Sequence, residues 1–117
     1  MADEKVLIVD DDPAIRKLLT KVVEGNGFKS VTASNGQEAV TLAQNRKFDL
    51  ILLDIMMNGV DDGFDVIRSL RSIGNDIPII ILSGRTEDFD TLYGLDIGAD
   101  DYITKPFNPV VLGAKIK

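Results

Sequence analysis

The sequence predicts a doubly wound α/β domain built on a five-stranded parallel sheet, and three observations lead there. Val6-Leu7-Ile8-Val9, Leu50-Ile51-Leu52-Leu53 and Ile79-Ile80-Ile81-Leu82 are short aliphatic runs bounded by polar or turn residues, the pattern of central parallel strands buried on both faces. Amphipathic helical patterns separate these runs. A polar residue follows directly on each of them.

Taken in order, the first run is the first strand, and Ile15, Leu18, Leu19, Val22 and Val23 then make one apolar stripe at helical spacing. Asp12 suits the N-cap of that helix, Pro13 its first position and Gly25-Asn26-Gly27 its end. Lys29 to Ala33 is more polar and suits an edge strand. Asn35 with Glu38 three residues on resembles a capping box for a second helix through Ala39, Val40, Leu42 and Ala43. The third strand follows at Leu50, a helix at about Gly63 to Ile73, the fourth strand at Ile79 and a helix at about Thr86 to Ile97. Asp101 to Thr104 is the second polar, edge-type strand, and a last helix starts at Asn108. Right-handed crossovers wind this repeated βα order into a sheet covered on both faces. The last helix has about ten residues before Lys117, fewer than its neighbours, so the chain reads as a fragment of a longer protein.

A chain of 117 residues is the size of one domain, here 1–117, able to bury a core without disulfides. Its 44% hydrophobic and 27% charged content is ordinary for a globular, soluble domain. No apolar run nears the roughly 18 residues of a membrane span. Without a signal-peptide pattern or any cysteine, cytoplasm is the default location. The formal charge is -6, with Asp supplying 15 of 19 acidic residues, which disfavours direct nucleic-acid binding. Histidine is absent. Any histidine chemistry must come from a partner.

Ligands of open α/β sheets bind outside the carboxyl ends of the strands. There the sequence places Asp10-Asp11-Asp12, Asp54, Ser83-Gly84 and Thr104-Lys105-Pro106. Singly, each has a plain reading: Asp12 as a helix cap, Asp54 as a turn residue, Ser83 as another cap, Lys105 as a solvated lysine. Together, Asp10, Asp11 and Asp54 would repel one another at a cost in stability unless a cation joined them. A few carboxylates with room left over suit magnesium, which keeps several waters and often binds a substrate phosphate. Lys105 and Ser83 would complete a phosphate site, with Asp54 as an already ionised nucleophile.

These residues carry a resemblance. Val6 to Asp12, Leu53-Asp54-Ile55-Met56-Met57, Leu82-Ser83-Gly84 and Gly98 to Phe107, in this order and spacing, are similar to the receiver domain of two-component response regulators over the whole chain. The resemblance implies a flavodoxin-like sheet of order 2-1-3-4-5 flanked by five helices, and phosphorylation of Asp54 by a sensor histidine kinase. It implies magnesium held by Asp11, Asp54 and the Met56 backbone carbonyl, with Asp10 acting through a water. Ser83 and Lys105 would bind the phosphoryl oxygens, beside a cis Lys105-Pro106 peptide, and Tyr102 would turn inward on activation. Such a domain catalyses only its own phosphorylation and dephosphorylation.

The run from Asp100 to Phe107 looks most like receivers of the OmpR/PhoB type, which usually precede a DNA-binding domain and regulate transcription. Those receivers often dimerise through the fourth helix, fifth strand and fifth helix. Thr91 and Val111 stand where a charged pair commonly sits in that interface. Asn58 replaces a common proline, and one residue is inserted in Asn58 to Asp62. Met56 and Arg85 fall where the family controls hydrolysis of the phosphoryl group, and neither side chain orients water as a base would.

Other classes fit less well. A flavodoxin-like cofactor module shares the fold, but three aspartates after the first strand would repel its phosphate. Asp10-x-Asp12 has the spacing of an aspartyl phosphatase, yet there is no room for a cap domain. A receiver kept only as a binding module conflicts with the intact acidic residues and lysine.

Overall fold

Each apolar run forms a strand in the computed structural model, which describes residues 4–54, 62–83, 95–104 and 108–116, with backbone alone at 62, 83 and 104. The strands are β1 (Lys5–Val9), β2 (Lys29–Ala33), β3 (Leu50–Asp54), β4 (Ile79–Ser83) and β5 (Asp101–Thr104). They pair in parallel in the order β2-β1-β3-β4-β5. The two polar strands are therefore the edges, as their composition requires. Four helices stand among the described residues: α1 (Pro13–Gly25), α2 (Gly36–Asn45), α3 (Asp62–Ser72) and the last, α4 (Pro109–Ile116). The helix expected at about Thr86 to Ile97 falls mostly outside the described residues, and of it residues 95 and 96 are helical.

Side-chain alternation splits the core into two layers, because successive strand residues point to opposite faces. Leu7, Val9, Ile51, Leu53, Ile79 and Ile81 pack with Ala39 and Ala43 of α2 and Phe64, Ile67 and Leu70 of α3. Val6, Ile8, Leu50, Leu52, Ile80 and Leu82 pack with Leu19 and Val23 of α1 and Leu112 and Ile116 of α4. Both faces of β1, β3 and β4 are thus covered, which is why those runs are continuously aliphatic.

Local signals place the helix ends. The Asp12 side chain accepts from the Ala14 amide at 2.9 Å with Pro13 at the first turn, and Gly27 takes φ 90° just past the end of α1. Asn35 caps α2, accepting from the Glu38 amide at 2.8 Å. The return arm differs from a regular capping box: the Glu38 carboxylate accepts from the Ser34 amide at 2.7 Å, one residue before the cap. Leu18, part of the expected apolar stripe, is 40% exposed. Leu19 and Val23 hold the centre of that face and turn Leu18 to its margin.

Candidate phosphoacceptor and metal site

Register brings the strand ends together. Val9 pairs with Leu53, so Asp10 and Asp54 are each the next residue on neighbouring strands. Extending the alternation, Asp10 continues the Val6, Ile8 parity and Asp54 the Leu50, Leu52 parity, so both start from the face that carries α1 and α4. Asp10 is 1% and Asp54 5% exposed. They are the buried acidic residues among those described, and Asp11 beside them is half-buried. One carboxylate oxygen from each of Asp10, Asp11 and Asp54 lies within 4.8 Å of the others.

The loop that delivers Asp10 and Asp11 is tied at several points. The Asp10 amide donates to the Ala33 carbonyl at 3.1 Å, and the Asp12 amide donates to the Asp10 carboxylate at 3.0 Å. Asp12 turns the other way, its side chain capping α1. The plain reading of Asp12 as a cap therefore holds, and the cluster consists of the other three. Three carboxylates this close repel strongly at low effective dielectric. An all-oxygen set of this kind fits a hard divalent cation that keeps part of its water shell.

The remaining site residues divide by position. Ser83 ends β4 and pairs in register with Thr104 at the end of β5, which puts its backbone on the same rim. Tyr102, opposite Ile81, is half-buried against the α2 and α3 layer. Met56, Arg85, Thr91, Lys105 with the Lys105-Pro106 peptide, and residues 58–61 of the insertion lie outside the described residues. A separate cleft of about 580 Å³, lined in part by Arg46, Phe48, Asp49, Asn75 and Ile77, opens at the opposite rim, where β3 and β4 begin. It is remote from the carboxylates and plays no part in their chemistry.

Sequence reading passed over two arginines. Arg16 on α1 donates Nη1 to the Asp10 carbonyl at 2.7 Å. Arg71, near the end of α3, donates to the carbonyls of Asn75, Ile77 and Gly98. The available signal was polarity: Arg71 sits where a cation complements the helix dipole, while Arg16 sits where it does not.

The chain belongs to the response regulator receiver domain family, whose model matches residues 6–117. It is 43% identical over 98% of its length to the alkaline phosphatase synthesis transcriptional regulatory protein PhoP of Bacillus subtilis, covering 48% of that protein. It is 40% identical over 97% of its length to the DNA-binding response regulator MtrA of Mycolicibacterium smegmatis, covering 49%. The chain thus spans about half the length of these curated relatives. Among solved structures, a Francisella response regulator 1452 receiver domain matches with TM-score 0.91 at 35% identity, covering 97% of this chain and 93% of that one. The chain is the receiver domain of a two-component response regulator, and among the described residues no helix is long and apolar enough to cross a membrane.

Proposed function

We propose that the domain accepts a phosphoryl group on Asp54 from a phosphohistidine of a sensor kinase. The observation that carries this reading is the burial of the Asp54 carboxylate at the end of β3, within 4.8 Å of the Asp10 and Asp11 carboxylates. In the transfer, an Asp54 oxygen attacks phosphorus, the P–N bond to the donor imidazole breaks, and an acyl phosphate forms as the imidazole leaves. No separate base is required, since a carboxylate nucleophile, unlike a hydroxyl, attacks without first giving up a proton. The chain has no histidine, so the donor lies on the partner.

Asp11, Asp54 and the Met56 carbonyl would hold magnesium, with Asp10 reached through a water. Bound there, the ion would offset charge on the carboxylates and on the transferring oxygens. Lys105 and Ser83 would bind phosphoryl oxygens, and Tyr102 would shift further inward as Ser83 moves, a redistribution between two existing states. The domain is not an enzyme toward external substrates: its catalysis is confined to its own phosphorylation and dephosphorylation.

Its output is proposed to be regulation of transcription in the cytoplasm, by analogy with relatives named as transcriptional and DNA-binding regulators. In this reading residues 1–117 are the receiver part of a longer protein and do not themselves bind nucleic acid or membrane. A homodimer through the segment preceding β5, β5 and α4 is a further proposal, carried by the resemblance alone. Val111, 49% exposed on α4, puts an apolar side chain where that interface commonly has a charge.

The test is intact mass after incubation with acetyl phosphate and magnesium. One added phosphoryl group, mapped to Asp54 and absent from Asp54→Ala, is expected. Modification elsewhere, or unchanged modification in the variant, would overturn the assignment.

A further inference from the structure

Arg16 stands against the usual electrostatics of a helix start. It is the fourth residue of α1, a helix with no acidic residue in its first turn, and a cation there opposes the positive end of the helix dipole. It also adds positive charge beside the cluster expected to bind a cation. The carboxylates beside it favour a cation there while the helix dipole and a bound metal ion oppose one, so charge alone does not define what this half-buried arginine does.

Its role is visible in what its guanidinium touches. Nη1 donates to the Asp10 carbonyl at 2.7 Å, and this carbonyl belongs to the peptide that joins Asp10 to Asp11. Rotation of that peptide would swing the Asp11 side chain relative to those of Asp10 and Asp54. Flanking groups are fixed as well, by Asp10 N to Ala33 O at 3.1 Å and by Arg16 N to Asp12 O at 3.0 Å. Arg16 thus grips the loop twice, by its backbone at Asp12 and by its side chain at Asp10.

We propose that Arg16 is a positioning residue of the divalent-cation site, setting the direction of the Asp11 carboxylate through the Asp10-Asp11 peptide. The inference rests on the metal reading of Asp10, Asp11 and Asp54. Geometry and charge make opposite demands here. If only its charge mattered, neutralising Arg16 would tighten cation binding and Arg16→Lys would leave it unchanged. If its geometry matters more, both variants bind more weakly, because a residue that orients a metal ligand is typically worth about 10- to 100-fold in affinity.

Mn2+ titration followed by electron paramagnetic resonance of the free ion measures this directly on the 117-residue chain, with thermal unfolding in EDTA as the companion measurement. Arg16→Met is expected to weaken Mn2+ binding about 10-fold or more, and Arg16→Lys, which offers one donor in place of a fork, by less. Wild-type or tighter affinity in Arg16→Met overturns the role, as does a lowered unfolding midpoint in EDTA with unchanged affinity. If Arg16→Met does not fold, wild-type affinity in Arg16→Lys overturns it equally. A wild-type protein that binds no Mn2+ overturns the metal reading itself, and Asp11→Asn separates the cases by abolishing binding only if that reading holds.

Discussion

Arg71 and Gly98 are fitted to each other: the guanidinium donates twice to the Gly98 carbonyl, at 3.1 Å from Nε and 2.7 Å from Nη2, and the arginine stem with Nε fills the space a Cβ would need. A side chain at residue 98 would meet Arg71 Cγ and Nε at 2.9 Å, at a backbone φ of 124° that L residues rarely adopt. Through the same guanidinium, the end of α3 is tied to the carbonyls of Asn75 and Ile77, both at 2.9 Å, ahead of β4. Asp100 completes the clamp, its carboxylate accepting from the Ile79 amide at 2.8 Å. Gly98→Ala is therefore expected to destabilise the domain by about 2–3 kcal/mol in urea unfolding. Gly27→Ala should cost less, about 1–2 kcal/mol, because φ is also positive there but nothing lies within 4 Å. Equal losses at the two glycines would show that backbone conformation, and not Arg71, sets the cost.

A weaker link joins the sheet edge to α4. Lys115 Nζ donates to the Asp101 carboxylate at 2.8 Å, with the two side chains 40% and 38% exposed. Partial burial pushes the Asp101 carboxyl up, but the Lys115 hydrogen bond, the Tyr102 amide and the lysine charge together hold it below its ordinary 3.8. A lowered folded-state pKa means stability that is present above the unfolded value and is lost as pH falls through the folded one. Lys115→Met should cost no more than about 0.5 kcal/mol at neutral pH, given this exposure. The gap between variant and wild type should close only once the pH drops below 3.8. Urea midpoints taken across that range check it; a gap that persists in strong acid would point to lost packing of the lysine stem instead.

Much of this was legible from the chain, and the exceptions share a cause. Val6 to Val9, Leu50 to Leu53 and Ile79 to Leu82 declared themselves because burial on both faces leaves no polar residue in a strand. Asp10, Asp11 and Asp54 could be brought together in advance because parallel strands end on one rim. Arg16 and Arg71 could not be, since each reaches main-chain carbonyls six or more residues away and no side-chain pattern encodes a carbonyl acceptor. Leu18 is 40% exposed at the margin of the α1 stripe, because apolar spacing defines the face of a helix and not the exposure of its border. Glu38 was assigned to the right turn but to the wrong amide, a distinction set by loop conformation.

Phosphate lifetime should follow from residue type at two positions that the resemblance assigns to hydrolysis control. An acyl phosphate is lost when water is aligned opposite the leaving carboxylate. Met56 has no group to orient water, and Arg85 is donor-only. Purified phosphoprotein should lose its label over minutes or longer, and Met56→Asn should shorten that time. Loss within seconds in the wild type, or an unchanged lifetime in the variant, would remove these side chains from the account.

Removing one carboxylate from the cluster should reverse its effect on stability when a cation is supplied. Asp11→Asn keeps the shape of the side chain and deletes a negative charge within 4.8 Å of two others. In EDTA at low ionic strength the variant should be more stable than wild type by about 1 kcal/mol, since like charges this close disfavour the folded state. Added salt should shrink that gain, because Asp11 is only half-buried and its share of the repulsion is open to screening. Saturating magnesium should then stabilise wild type by about 2.7 kcal/mol at 100 times its dissociation constant. The variant, short of one ligand, should respond far less, so the order of the two proteins inverts. Urea unfolding in the two buffers decides it. An Asp11→Asn protein less stable than wild type in EDTA would mean that attractive contacts of Asp11 outweigh the repulsion, and the three converging carboxylates would no longer require a cation.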